Sequence, residues 1–566
     1  MARIIAAPVN PIIDMSARQK AVIMAGTMLG LFTAAMDQTV VGTSMPRIIA
    51  QLGGFGLFAW VGTGFMLAST STLPIVGKLS DIFGRKPFYM AGIVILIIGS
   101  ALAGSSQNIE QLIAFRVIQG FGAGMIMGLA FALLGDIFAP AERGRWAGLM
   151  SAVFASASVL GPLIGGTLTD HVDWRWVFYV NLPLGAIALV VLFFGMPNFR
   201  PNRHDHFDVP GSVLLLATVV PMLLAFSWAG SRYEWLSWQV LSFFGWAAAG
   251  LVAFVVLQSR TEHPLLQLSL FRNRIFSVSA GVTLLTGFGM MGALFYIPLF
   301  VQGVIGSSAT NSGIVTMPMM IAMAVSSAIA GQVISRFGHY KIIGIMGLLT
   351  ITAGMYLLSL MTVGSTNRDV TLAMVVLGLG LGSAIPLYML AVQNAVPYRL
   401  MGVSTSMMQF LRSVGGTMGV AIMFSLIHSN YQEGLAAKVP AAVQGTPQIY
   451  GGIQEPNFLL DERAAEAFKG SFASFGNEGP RLFESTIFAV KDSLAASISD
   501  AFFISIFVLG VAVVVGFFMK EIPLKKTHFM SEEGYVPAPV DEEDVTAGAA
   551  KPAALAPAGA ADGGAG

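Results

Sequence analysis

Gly77-Lys-Leu-Ser-Asp81-Ile-Phe-Gly84-Arg85-Lys86 closes an apolar run at residues 57–78, and a weaker copy closes another at 310–334. That copy reads Gly331-Gln-Val-Ile-Ser335-Arg-Phe-Gly338-His-Tyr-Lys341, and it lies 254 residues on at both Gly77/Gly331 and Gly84/Gly338. A repeat at that spacing means one folding unit built twice. The runs around it say what the unit is made of. A bilayer core about 30 Å thick needs roughly 20 apolar residues per helix. Fourteen such runs are present: 21–45, 57–78, 88–105, 111–135, 146–169, 176–196, 210–229, 239–258, 276–301, 310–334, 342–362, 371–393, 402–427 and 499–519. Removing two spans from the 254-residue interval leaves room for six helices. The sequence therefore predicts an all-α integral membrane protein of two six-helix bundles with two helices inserted between them.

Composition supports the same class. Of 566 residues, 55% are apolar and 11% charged, against about 25% charged in soluble domains. Lys and Arg number 31 and Asp and Glu 30, so no basic surface calls for nucleic acid; there is no cysteine for disulfides or thiol chemistry. The seven histidines form no zinc-binding spacing. No Walker A sequence is present, so ATP is not expected as fuel, and no cofactor or metal is expected. The first twenty residues do not read as a signal peptide, because Arg18 and Lys20 precede a full-length span with no small-residue cleavage site.

Basic residues set the orientation. With the N-terminus inside, the inner segments hold nineteen Lys and Arg and the short outer loops only Arg47, Arg175, Arg232 and Arg368. Both termini are thus predicted cytoplasmic. The expected organisation is 1–20 as a cytoplasmic start, 21–200 as the first bundle, 201–262 as the inserted pair, 263–527 as the second bundle, and 528–566 as a disordered tail. The segment 428–498 would form an outer cap, with amphipathic helices at 461–470 and 481–498, the latter showing Phe483, Ile487, Val490 and Leu494 on one stripe.

The loop from Gly77 to Lys86 resembles the second-to-third helix loop of the major facilitator superfamily. Further motifs narrow the resemblance. Arg116-Val-Ile-Gln119-Gly120 is similar to that family's fourth-helix motif. Gly148 with Gly161-Pro162-x-x-Gly165-Gly166 resembles the antiporter motif of its exporters, with Ala157 where a glycine is usual. Asp37-Gln-Thr39-Val40-Val41 through Pro46, and Trp174-Arg175-Trp176 through Asn181-Leu-Pro183, resemble the fourteen-helix drug:proton antiporter branch (the EmrB/QacA type). The resemblance covers residues 20–427 and 499–525. It implies a proton-coupled exporter of amphipathic or lipophilic compounds, a plasma-membrane monomer of bacterial type and not an enzyme, working by alternating access on an ion gradient. The other readings are export of one endogenous lipid or secondary metabolite, and a sensor or scaffold without turnover.

Ionisable residues deep in a membrane are costly and usually serve a pathway or each other. Three lie deep here: Asp37, Arg116 and Arg412. Asp37 is sixteen residues past Ala21, about 24 Å at 1.5 Å per residue. Arg116 is about 7 Å in from the opposite end of its own span, which puts the two at matching heights. One reading has Asp37 carrying the coupling proton, or alternating between proton and cationic substrate, with Arg116 tuning it; the other is a permanent structural ion pair. Arg412, near mid-membrane, has no acid at its depth, so a structural partner such as Gln119, Gln302 or Gln409 and an anionic substrate group both stay open.

By the resemblance, Asp81 would meet Arg85 and a helix end in the other half. Gly77, Gly84, Lys86, Asp136 and Arg143 would complete that cytoplasmic gate. Gly161, Pro162, Gly165 and Gly166 predict a kink and a flat packing face between the halves. Sixteen of the 31 methionines fall at 290–423. Met290 and Met291, with Gln119 and Gln302, are candidates for a flexible substrate cavity, against simple core filling.

Overall fold

The computed structural model describes residues 15–522 other than 139, 198–207, 230–232, 262–263, 265–266, 338–339, 397–399 and 461. The expectation for the tail 528–566 falls outside that set, as do the side chains of Asp81, Asp136, Arg143 and Ser335. The first bundle holds α1 (Ala17–Leu52), α2 (Phe58–Phe83), α3 (Arg85–Gly104), α4 (Ile109–Ile137) and α5 (Pro140–His171), and α6 (Trp176–Tyr179) with α7 (Asn181–Gly195) as its sixth span. The inserted pair is α8 (Val209–Trp228) and α9 (Trp238–Arg260). The second bundle holds α10 (Arg274–Leu299), which continues as a π-turn over Phe300–Val304, then α11 (Ala309–Phe337), α12 (Lys341–Ser359), α13 (Asn367–Ala395) and α14 (Met401–Lys438). Short helices α15 (Ala441–Gln444), α16 (Pro447–Ile453) and α17 (Glu462–Ser471) lead to α18 (Gly479–Phe517). Among the described residues there are fourteen helices long and apolar enough to cross a membrane and no strands. The chain is an integral multi-pass membrane protein.

Local chemistry sets the ends. Ser16 opens α1 with a capping box shared with Gln19, and Asn108 Oδ1 accepts from Gln111 N at the start of α4. Gly84 sits at φ 99°, a backbone state that a side chain would strain, and there α2 gives way to α3. The expected loop from Gly77 to Lys86 is therefore smaller than its sequence suggests. Residues 77–83 complete α2, and Gly77 is an interior helical residue with no close neighbour, so it makes no tight turn.

The two bundles repeat one packing scheme. α1 packs on α5 and α7, α4 on α2 and α3, and α3 on α7; in the second bundle α10 packs on α14 and α18, α13 on α11 and α12, and α12 on α18. Glycines repeat with the helices. Gly161 and Gly165 of α5 abut Thr39 and Val40 of α1, and Gly415 and Gly419 of α14 abut the Leu284 and Phe288 carbonyls of α10. Gly120 and Gly124 of α4 lie on Phe65 and Ser69 of α2, while Gly122 between them lies on Gly92 and Leu96 of α3. Gly378 and Gly382 of α13 lie likewise on Met319 and Met323 of α11, with Gly380 on Gly347 and Ile351 of α12. Alternate glycines thus let one central helix touch two neighbours at backbone distance, the close approach that drives membrane helix packing. Gly382→Val would drive Cβ into the Met323 backbone. It should cost about 2–3 kcal/mol by overpacking, whereas Gly510→Ala, with open space around it, should be neutral or slightly stabilising. Thermal unfolding of the two variants in detergent checks this.

The bundles meet through α5 with α11 and α2 with α14, and α8 leans on α2 and α14. The end at which α1 begins is the near face, and the opposite end the far face. Contacts across the halves among the described residues gather toward the far face. Gly166 abuts Ala309 and Thr310, Gly313 abuts the Pro162 carbonyl, and Asp170 accepts from Ala309 N (3.1 Å) and Thr310 N (2.6 Å) at the start of α11. Phe58 stacks on Tyr296 and on Phe424, at 5.9 and 6.3 Å between ring centres.

A cap covers the far face. α17 matches the expected helix at 461–470, but 481–498 is not a separate amphipathic helix: it is the start of α18, one 39-residue rod. At about 1.5 Å per residue α18 is some 58 Å long, so it passes well beyond a membrane. Val490 and Leu494 of its stripe are fully buried, and Phe458, Phe468, Phe472 and Phe483 form an aromatic cluster behind them. The cap is tied to the first bundle by Arg47 Nη1, which donates to the Leu460 carbonyl at 2.8 Å.

Candidate functional site

Two glycines draw the walls of a polar pocket in the first bundle. Gly99 lets α3 reach the Gln119 backbone of α4, and Gly120 lets α4 reach the Phe65 carbonyl of α2. Ser100 and Arg116 are thereby carried to α1 at Asp37. Arg116 Nη1 donates to Asp37 Oδ2 at 2.5 Å and to Gln119 Oε1 at 2.8 Å. Gln119 Nε2 donates to Asp37 Oδ1 (2.7 Å) and Ser100 Oγ (2.6 Å), and Asn181 Nδ2 donates to Asp37 Oδ1 at 2.6 Å. The guanidinium also lies 4.1 Å from the centre of the Phe65 ring and donates from Nε to the Val61 carbonyl at 3.4 Å. Asp37 and Arg116 are 0% and 1% exposed.

This carboxylate is thus held by one cation and two amides in a sealed site, the geometry a buried ion pair needs to offset desolvation. The site is enclosed by α1, α2, α3, α4, α6 and α7. In this conformation Asp37 touches no space a substrate could enter, so the expected exchange between proton and cationic substrate on Asp37 itself has no route here. Gln119, expected in the substrate cavity, belongs to this cluster instead. Ser100 and Asn181 complete the cluster without having been singled out for it. Asn181 carried a signal in the stretch entering the sixth span, whereas nothing marks Ser100 in the sequence. Asn181 Oδ1 makes no hydrogen bond among the described residues.

Beyond Asp37, α1 is laced to α5. Thr43 Oγ1 donates to the Pro162 carbonyl and Ser44 Oγ to that of Gly165, each at 3.2 Å. Thr43 also receives the second bundle: Gln302 Nε2, in the π-turn, donates to its carbonyl at 2.7 Å and to Ser312 Oγ at 3.0 Å. Gln302 therefore joins the halves at the far end rather than lining a cavity. Gly161 and Gly165 pack inside the first bundle, and Gly166 alone of the three meets the other half.

Arg412 is half-buried and donates from Nη2 to Gln409 Oε1 at 2.5 Å. Of the methionines, Met291, Met319, Met320, Met407 and Met408 are buried, most of them packed as core, and Met290 is half-buried. On the near face Arg85 donates to Ser80 Oγ at 2.5 Å and to the Gly77 carbonyl at 3.4 Å. Lys86 was expected in the gate. Its Nζ instead donates to the Phe193 and Met196 carbonyls at 2.7 and 2.5 Å, capping the negative end of α7 within the same half. The gate partners expected of Asp81, Asp136 and Arg143 lie outside the described side chains.

The family model described as Major Facilitator Superfamily matches residues 27–420. The chain is 34% identical over 509 residues to "Multidrug transporter protein MdtP" of Bacillus subtilis, covering 89% of this chain and 94% of that one. It is 33% identical over 516 residues to "Multidrug resistance protein 3" of the same organism, covering 90% and 97%. Among solved structures, a bacterial homologue of the human lysosomal transporter Spinster, inward-facing and unoccupied, superposes with a TM-score of 0.61 at 14% identity, covering 89% of this chain and 98% of that one. The fourteen membrane-length helices suit the fourteen-helix drug:proton antiporter type. Matched along most of its length, the chain belongs to the Major Facilitator Superfamily and is a transporter rather than an enzyme.

Proposed function

We propose that this transporter is a proton-coupled exporter of amphipathic compounds, exchanging them for protons by alternating access, with Asp37 as the proton carrier. The observation that carries the reading is the closed cluster on Asp37, the one fully buried carboxylate among the described residues, held against Arg116 at 2.5 Å. A proton on Asp37 removes the charge that Arg116 was paired with. A guanidinium cannot be neutralised in turn, so the proton forces a rearrangement of α1 against α4. α1 carries that change to Thr43, where α5 and the π-turn of α10 both bond. One bound proton thereby reaches the seam between the halves. π-turns of this kind recur at moving or functional points of helices.

Export of more than one compound is supported by the names of the two Bacillus subtilis relatives. The excess of Lys and Arg on near-face segments supports cytoplasmic termini in the plasma membrane. The near-face turn around Gly84, with Asp81, Arg85, Asp136 and Arg143, would be the cytoplasmic gate. The protein would work as a monomer on an ion gradient, without ATP.

Everted membrane vesicles energised to an acidic interior test this. Lipophilic cations, neutral drugs and anionic amphiphiles are added in turn while lumenal pH is followed. Some of them should release protons in wild type and not in Asp37→Asn. Release that is equal in both would remove Asp37 from the proton path, and no release with any compound would refute multidrug exchange and favour one dedicated substrate.

A further inference from the structure

Two of the three deep charges cancel inside one bundle. The third does not. Gly415 and Gly419 press α14 onto α10, and a Cβ at Gly416 would stand 2.7 Å from Met291 Cγ and 3.2 Å from Met66 Cε of α2. That face of α14 therefore looks across to the other half. Arg412 lies on the same face one turn nearer the near face, since residues four apart stack on a helix. There it is half-buried where Met66 is sealed.

The facing helices change in the same way at the same level. Gly42 of α1 meets the Leu294 carbonyl of α10 at ordinary contact distance, since a Cβ there would stand 3.4 Å from it. One turn toward the near face from that contact, Gln38 and Met290 are both half-buried. Gln38 and Met290 on one side, and Gln409 and Arg412 on the other, are thus only half-buried where the seam beyond them is sealed. Among the described residues no carboxylate pairs with Arg412, and Asp37 is shut within the first bundle.

Resting on the transport reading above, we propose that Arg412, positioned by Gln409, is an anion-binding site between the bundles, so that the preferred cargo carries an anionic head on an apolar body. A guanidinium at this depth keeps its charge and needs an opposite one. It repels cations of the same size, which supplies selectivity as well as affinity. Gln409 accepts from Nη2 at 2.5 Å and leaves the other N–H groups of the fork for a ligand. Met290, half-buried at the same level, supplies polarisable surface that fits varied apolar bodies.

Tetraphenylborate and tetraphenylphosphonium test this, being alike in shape and opposite in charge. Their binding to purified full-length protein is measured by equilibrium dialysis in uncharged detergent, with protein-free micelles subtracted. Wild type should hold the borate about tenfold or more tighter than the phosphonium, a modest Coulomb gain in a partly wet site. Arg412→Gln should lose that preference, and Arg412→Lys should keep most of it. A wild-type preference for the phosphonium, or an Arg412→Gln variant that discriminates as wild type does, overturns the proposal. The wild-type comparison decides even if the variant does not fold. Binding here needs no pH gradient, so a wild type that releases no protons with any compound leaves this result standing, and the reverse also holds.

Discussion

Asp37→Asn should yield a folded transporter that no longer couples to protons, with gradient-driven transport falling to background. The amide matches the carboxylate in shape but can neither bind nor release a proton in the working range. It stands in permanently for the protonated acid. Arg116 loses its counter-charge in this variant but keeps Gln119 Oε1, the Val61 carbonyl and the Phe65 ring, contacts that limit the loss of stability. Uptake of a responsive compound into energised vesicles, with an expression and elution check on the variant, reads the outcome.

Arg116→Met should be damaging in a different way, by stranding a carboxylate in a sealed site. Removing one member of a buried pair costs about 3–5 kcal/mol, because the remaining charge has lost both water and partner. The double variant Asp37→Asn/Arg116→Met removes the stranded charge and should recover more than half of the loss. Thermal unfolding of the wild type, both single variants and the double variant completes the cycle. Additive effects would mean that the two groups do not depend on each other, contrary to their 2.5 Å contact.

The fourteen spans and the twofold repeat could be read from residue types alone, because apolar length and the Gly77 and Gly331 copies survive without coordinates. The pairing of Asp37 with Arg116 was legible from depth along two helices running in opposite directions. Depth says nothing of azimuth, however. That is why Gln119 was expected in the cavity though it turns toward Asp37, and why Ser100 went unnoticed. Gln302 was misjudged for a related reason: the π-turn at Phe300–Val304 rotates it toward Thr43. The continuity of 481–498 with the span at 499–519 was hidden because Lys491 and Asp492 interrupt the apolar signal without interrupting the helix. The run Gly378-Leu-Gly380-Leu-Gly382 gained its meaning only from its two neighbours, since spacing alone does not say which helix each glycine touches.

The central claim is that Asp37 couples protons to cargo rather than merely bracing α1 against α4. Purified wild type and Asp37→Asn, reconstituted in liposomes, separate the two roles. For a compound that evokes proton release in vesicles, accumulation driven by a pH gradient is measured beside counterflow without one. The account predicts both activities in wild type and counterflow alone in Asp37→Asn. A variant that still accumulates the compound against its gradient at the expense of the pH gradient would contradict it.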